Sequence, residues 1–552
     1  MKLDLSKYKL RIVCCFIFVI LELLMDLFLP FILSDTINYG IKNNDISYII
    51  KNIVIMVIIL IIGIIGSILS TYLSSLVSTN ISYDIRSKLI NKILNLSYQN
   101  IDKINIGNTI TLITNDTDNI ENVIFLILKI MIKIPIAIIG SIFMCLTLNK
   151  SLSLVLIIII PIVIIISIYF MKKTYPYFKY SEEVMDDMNS YIKENINNIK
   201  LVKSELSEEY EIRRFNKLNN NIKNINIKSL KIFSLMMPII IFIINITTIL
   251  ILLISNNNNI KIGNVTAFIE YINILLSSIV SISMILLLLV QSSISIKRIK
   301  TILNMPSVEK NKGLKNKING SIEFKNVYFK YGKNEILSNI NFKINSGDKV
   351  AIIGTCGSGK STLVNLINRN YDIDKGSILI DDININEYDF DYLKDRVHII
   401  NQKSSLFKGS INSNLKLNKK ININKFVEIS LSDKVINKKG TNFNIEESGK
   451  NLSGGEKQRL IIARSLIKEP DILILDDSMS AMDLKVEKQV IDNIINSYPN
   501  KTIIFITNRI NTIKSFDKII LLDDGKIKNI GNHDTLMKDN LYKDLYDIGG
   551  IL

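Results

Sequence analysis

NLSGGEKQRLIIARSLIKEPDILILDDSMSAMD, residues Asn451 to Asp483, is the stretch whose reading decides the fold. Ser453, Gly454 and Gly455 stand just before a helical pattern that runs through Gln458 and Arg459 into the apolar residues Leu460–Ala463. Their backbone N–H groups fall at a helix N-terminus, where the first turn lacks intrahelical acceptors and attracts anions. Further on, Ile472–Leu475 is apolar at every position. Such a run belongs in the middle of a parallel sheet covered on both faces. Asp476 and Asp477 follow directly. Carboxylates at the carboxyl end of a parallel strand lie where α/β sheets bind ligands. An anion site and a metal-binding carboxylate this close in sequence point to a nucleotide phosphate with Mg²⁺.

Upstream, Gly354-Thr355-Cys356-Gly357-Ser358-Gly359-Lys360-Ser361-Thr362 fits the pattern G-x-x-x-x-G-K-S. It follows a strand-like run, Val350–Ile353, and precedes a helical one, STLVNLINR. That context makes it a phosphate-binding loop. Its glycines allow close backbone approach and its N–H groups cradle phosphates. Lys360 reaches the β and γ oxygens, and Ser361 ligates Mg²⁺. Alone, the motif says only that an NTP is bound. Before it, SIEFKNVYFKY alternates like a strand, and residues 293–320 are polar, Lys- and Asn-rich, with Pro306, Gly313 and Gly320, a linker pattern.

Taken together, these residues resemble the signature, Walker B and D-loop series of an ATP-binding cassette (ABC) transporter, and the resemblance extends over nearly the whole chain. It implies an α/β ABC nucleotide-binding domain at 321–552 that binds ATP and Mg²⁺. In that frame Tyr331 matches the aromatic that stacks on adenine. Gln402 matches the Q-loop glutamine, touching Mg²⁺ or the attacking water. Asp476 is the Mg²⁺-side carboxylate, and Asp483 matches the D-loop aspartate. Glu447 and Gly449 match a short acidic segment before the signature, and His533 falls in a late loop where a structural role is expected. Three positions depart from the pattern. Asp477 stands where the catalytic glutamate is expected, Asn508 where the switch histidine is expected, and Glu456 replaces the glutamine that usually ends the signature.

The first half reads differently. Apolar runs of about 20 residues, long enough to cross a bilayer, fall at roughly 11–34, 51–78, 123–148, 152–172, 232–255 and 264–292. Only Asn149–Lys150 separates the third and fourth, so a tight turn is expected there. Basic residues concentrate in the long polar segments 79–122 and 173–231. The positive-inside rule places these segments and both termini in the cytoplasm of a multi-pass cell-membrane protein. The layout, a transmembrane domain over 1–292, is similar to the exporter type of ABC protein. There, Tyr98–Lys103 and roughly Lys200–Glu209 would dock on nucleotide-binding domains. Glu22 and Asp26 lie one helical turn apart within the first span. They read either as a cavity wall that attracts cationic substrates or as a pair satisfied by Lys133 or neighbouring hydroxyls. Lys129 and Lys133 are expected to snorkel to the interface, and Pro30, Pro135, Pro161 and Pro238 to bend their helices.

Composition excludes other classes. The chain has 552 residues and a formal net charge of +16, yet its Lys and Arg flank apolar runs rather than forming an aromatic-interleaved stripe, so no nucleic-acid partner is expected. Its four Cys include no CxxC pair and its two His stand apart, which argues against zinc and disulfide frameworks. The resemblance therefore implies a half-transporter that pairs with a second one in the lipid bilayer and exports an amphipathic drug, lipid or peptide. Both departures of catalytic type fall on the site built by this chain's own phosphate-binding loop, while Ser453–Gly455, which serves the opposite site, is intact. A heterodimer in which this chain is the degenerate half is the expected arrangement. The alternatives are a slow homodimer and an ATP-gated channel or regulatory membrane protein.

Overall fold

A computed structural model describes residues 5–104, 106–257, 260–308, 310, 312–417, 421–507 and 509–551. The chain divides into two compact units, Met1–Asn95 with Ile104–Met305, and Leu96–Lys103 with Pro306–Leu552.

Among the described residues of the first unit, six helices are long and apolar enough to cross a membrane. They span Ser6–Ile41, Ile46–Leu94, Thr109–Leu148, Lys150–Asn197 and Glu208–Asn256, and the sixth runs Ile262–Asn304. Residues 293–304, placed in the linker above, are therefore helical. Ile299 and Ile302 explain why: both are buried in a cluster with the first and second helices. The first two helices approach closely because the second presents small residues, Gly63, Gly66, Ser70 and Ser74, all buried. A Cβ on Gly66 would come within 3.0 Å of the Phe18 carbonyl oxygen. Small residues permit such contact where lipid offers no hydrophobic drive between helices. The third helix carries π-turns at Leu112–Asp116 and Ile127–Met131. Pro135 accounts for the second: lacking an N–H, it cannot bond the carbonyl of Met131. The third helix ends and the fourth begins at Asn149, whose side chain accepts from the N–H groups of Ser151 (2.9 Å) and Leu152 (3.1 Å).

The second unit holds two main sheets. Strands β1 (Ile322–Tyr331), β2 (Asn334–Ile344), β4 (Lys375–Ile380) and β5 (Ile383–Asn384) form an antiparallel sheet in the order β2-β1-β4-β5. Strands β3 (Lys349–Gly354), β6 (Val397–Ile400), β9 (Ile472–Asp476), β10 (Thr502–Ile506), β11 (Lys518–Asp523) and β12 (Lys526–Gly531) form the other, in the order β12-β11-β3-β10-β9-β6. All its pairings are parallel except that of β11 with the edge strand β12. A two-stranded ladder joins β7 (Gly409–Ser410) to β8 (Asn444–Ile445). The parallel strands are apolar throughout because successive side chains enter different cores. Leu473, Leu475, Ile503 and Phe505 pack into one. Ile472, Ile474, Ile504 and Ile506 pack into the other.

Candidate nucleotide site

Strand pairing brings the motif residues together. Ile506 on β10 is in register with both Ile352 on β3 and Asp476 on β9. The phosphate-binding loop and the Walker-type carboxylate thus leave the sheet side by side. Gly354 ends β3 where a Cβ would lie 2.0 Å from the Leu522 carbonyl oxygen, so no larger residue fits. Gly359 caps the helix Lys360–Ile367 at φ +98°, a left-handed conformation that favours glycine. Within the loop, Lys360 Nζ donates to the carbonyls of Gly354 (2.9 Å) and Thr355 (2.7 Å). Burial lowers its pKa, and nearby Cys356, Asp476 and Asp477 oppose that shift. Thr355 Oγ1 donates to Asp523 at 3.3 Å. Cys356 and Gly357 are exposed, and Thr362 is half-buried. Ser358 Oγ is buried and has no hydrogen-bond partner among the described residues.

Ser361 Oγ donates to Asp476 Oδ1 at 3.0 Å. Asp476 is 5% exposed. Burial pushes its carboxyl above the usual range, and the Ser361 bond pulls it back. Next to it, Asp477 has φ +43°, and its N–H bonds the Ile506 carbonyl at 2.9 Å. Aspartate is among the few residues that tolerate this conformation. Its Oδ2 accepts a hydrogen bond from Gln402 Nε2 at 2.9 Å. Asn508 lies outside the described residues.

The signature residues start the helix Gly454–Leu466 with a reciprocal cap. Ser453 Oγ accepts from the Glu456 N–H (3.3 Å), and the Glu456 carboxylate accepts from the Ser453 N–H (2.9 Å). That backbone bond, aided by Lys439, holds the Glu456 carboxyl below its usual range. Glutamate at 456 is thus a good capping-box residue. A Cβ on Gly454 would meet that of Ala481 at 2.9 Å, and Ala481 N–H donates to Gln458 Oε1 at 3.0 Å. The turn before Asp483 is fixed by Arg509, which donates to the carbonyls of Ser480 (3.0 Å) and Met482 (3.1 Å) and pairs with Glu487. Asp483 is the N-cap residue of the helix Leu484–Ser497, without a side-chain cap bond. Glu447 is exposed in a short 3-10 turn, Glu447–Gly449. His533 Nδ1 is 2.8 Å from the hydroxyl of Tyr542, a fully buried residue.

Tyr331 ends β1 and is 38% exposed. Two rings stand edge-on to it, Phe329 at 4.8 Å and Tyr371 at 5.1 Å. Sequence reasoning missed Tyr371. It sits in NRNYDIDKG, a polar stretch where nothing marks one tyrosine among turn residues. Its hydroxyl donates to Asp102 Oδ2 at 2.6 Å, and its ring lies 6.0 Å from that of Tyr98. Burial and Asp102 push the phenol pKa up. The segment Leu96–Lys103 belongs to this unit, held also by Asn100 Nδ2 on the Pro306 carbonyl (2.9 Å). By contrast, the helix Ile199–Ser204 buries no residue in this chain.

Lys394 lies 5.5 Å from the centre of the Tyr98 ring and donates to Asn370. Burial, helped by Arg369 and Lys468, lowers its pKa to about 7. The unfolded chain therefore binds more protons than the folded one between about pH 7 and 10.5, so this residue's contribution to stability grows as pH rises through that window. Lys394→Met is expected to flatten the pH dependence of thermal unfolding between pH 7 and 10. An unchanged slope would refute the assignment.

A phosphate-binding loop and six apolar helices in one chain define the class: a membrane-embedded nucleotide-binding protein. Comparison with known proteins narrows it. The ABC transporter transmembrane region model matches residues 12–279, and the ABC transporter model matches residues 337–480. The multidrug resistance-like ATP-binding protein MdlA of Buchnera aphidicola subsp. Baizongia pistaciae is 32% identical, covering 78% of each chain. The ATP-dependent lipid A-core flippase of Wigglesworthia glossinidia brevipalpis is 31% identical, over 82% of this chain and 81% of that one. A solved bacterial Atm1-family ABC exporter with ATP bound has the same fold, with a TM-score of 0.86 at 22% identity over 99% of both chains. The chain belongs to the ABC transporter family. Its C-terminal unit is an ATP-binding domain whose ATPase activity is coupled to transport. The chain joins a transmembrane region to such a domain, the arrangement of ABC exporter half-transporters, which typically dimerise in the lipid bilayer.

Proposed function

We propose that this chain exports an amphipathic drug, lipid or peptide across the cell membrane, with both termini cytoplasmic, as the degenerate half of a heterodimer. The names of its relatives, one multidrug resistance-like and one a lipid flippase, support that substrate range. Residues 1–292 would form the transport domain and 321–552 the motor. The observation that carries the reading is the contrast at the ends of β3 and β9. The phosphate side is complete, with Lys360 in the loop and Ser361 on Asp476. The hydrolytic position holds a short aspartate whose carboxylate is engaged by Gln402.

The residues fit Mg-ATP. Ser361 and Asp476 offer hard oxygen donors, which Mg²⁺ takes alongside phosphate oxygens. The partnerless Ser358 hydroxyl would find an acceptor in a phosphate. Mg²⁺, when bound, would neutralise charge on the β and γ phosphates. Gly354 to Thr362 would wrap the phosphates and Tyr331 would stack on the base. Gln402 would orient the attacking water with Asp477 as a weak base, and Asn508 would fill the switch position. Ser453 to Glu456 and Asp483 would complete the site on the partner's loop.

Lys360→Ala is expected to cut photolabelling by an azido-ATP analogue at subsaturating nucleotide by at least tenfold; unchanged labelling would overturn the loop assignment. Uptake of substrate into inverted vesicles tests the exporter reading. ATP-gated ion conductance without stoichiometric uptake would instead favour a channel or regulatory protein.

A further inference from the structure

The third and fourth helices meet at Asn149, and a cleft of about 360 Å³ opens between them on the side of that turn. Its walls are apolar: Ile142 and Leu146 on one helix, Leu154, Ile157 and Pro161 on the other. Among the described residues, Lys150 is the one charged residue that lines it. The Lys150 ammonium is exposed and has no hydrogen-bond or ion-pair partner among the described residues. It also sits in the first turn of a 48-residue helix, Lys150–Asn197. A cation there is disfavoured by the helix dipole, and although Asn149 caps the first N–H groups, no carboxylate among the described residues pairs with the ammonium. From Lys150 to Pro161 the helix rises roughly 16 Å at 1.5 Å per residue. One leaflet is about half of the ~30 Å hydrocarbon core. The cleft thus runs the depth of one leaflet, positive at the level of the headgroups and apolar below.

We infer that this cleft binds a phospholipid, with one acyl chain along Leu146, Leu154 and Ile157 and the phosphate against Lys150. The wall chemistry selects an acyl chain, and the unpaired ammonium selects an anionic headgroup over a zwitterionic one. Leu154 and Ile157 are 62% and 69% exposed, so the cleft is open to such a chain from the side. The site is independent of the transport reading.

The chain contains no tryptophan, so an introduced one reports a single place. Ile157→Trp, in the full chain in proteoliposomes, would be quenched by dibrominated phosphatidylglycerol or by phosphatidylcholine with the same brominated chains. Val54→Trp, at similar depth on the second helix and off the cleft, is the control. A lysine near the surface favours an anionic lipid about fivefold. Half-maximal quenching of Ile157→Trp is therefore expected at about fivefold lower mole fraction of phosphatidylglycerol than of phosphatidylcholine, with no such difference at Val54→Trp. Adding Lys150→Gln is expected to remove the preference. Leu154→Trp repeats the measurement if Ile157→Trp fails to assemble. Equal quenching by both lipids, or a preference that survives Lys150→Gln, overturns the inference. So does the absence of quenching by either lipid, which would place protein over the cleft.

Discussion

Ser453→Arg in this chain is expected to abolish ATP hydrolysis by its complex with a catalytically complete partner, leaving no more than about a hundredth of the rate. The proposed arrangement puts the only competent site on the partner's phosphate-binding loop, closed by Ser453 to Gly455. Ser453 opens a 13-residue helix and is tied to Glu456 by two reciprocal bonds. Arginine removes the cap, worth about 1 kcal/mol, and sets a bulky side chain at the N-terminus where the γ phosphate must lie. On the proposed division of labour, the other site would not compensate. Asp477 is one methylene shorter than glutamate, and a misplacement of about 1 Å can cost on the order of a hundredfold in rate. Asn508 offers an amide that cannot carry a proton as imidazole does. The measurement is steady-state ATPase of the purified pair and of this chain alone. Activity in the pair that survives Ser453→Arg would sink the heterodimer. So would robust activity of the chain alone that persists without Asp477.

Lys133→Ala is expected to destabilise the membrane domain by up to roughly 3 kcal/mol, the low end for breaking a buried ion pair, because Glu22 is buried while Lys133 and Asp26 are partly exposed. Lys133 Nζ lies 2.9 Å from Glu22 and 2.7 Å from Asp26. Ser70 Oγ donates to the second oxygen of Glu22 at 3.4 Å, and Lys129 bonds Thr71. Both lysines thus turn towards the first two helices instead of snorkelling to the interface. The neutral triple change Glu22→Gln, Asp26→Asn, Lys133→Met is expected to recover most of the loss, because it removes the charges together. Thermal unfolding in detergent reads both. With the carboxylates already partnered, Glu22→Gln with Asp26→Asn should reduce transport of cationic and neutral amphiphiles alike. A loss confined to cations would return the pair to the substrate path.

The parts legible from sequence were those whose chemistry is local. Gly354 to Thr362 declares itself because a backbone turn around phosphate needs glycine and lysine at fixed spacing. Ile472–Leu475 does so because a strand covered on both faces must be apolar throughout. Partnerships across the chain were not legible. Lys133 meets Glu22 over more than a hundred positions, and the sequence offered that pairing only beside a cavity wall. The π-turn Ile127–Met131 before Pro135, which contains Lys129, leaves no mark in hydropathy. Residues 293–304 looked like linker because Lys297, Arg298 and Lys300 dominate their composition, yet Ile299 and Ile302 at helical spacing bury a face. Tyr371 was invisible because its importance lies wholly in its neighbours, Tyr331 and Asp102.

That last arrangement has a thermodynamic corollary. The ring that borders Tyr331 is anchored to a carboxylate on the segment 96–103, which the chain reaches between its second and third membrane helices. With adenine stacked on Tyr331 as proposed, whatever free energy that stacking lends to one placement of Asp102, a shift of Asp102 must return to it in equal measure. On the proposed reading, adenine affinity then becomes a gauge of where the segment 96–103 sits, and titrating nucleotide while varying the transported compound would read that placement without following transport at all.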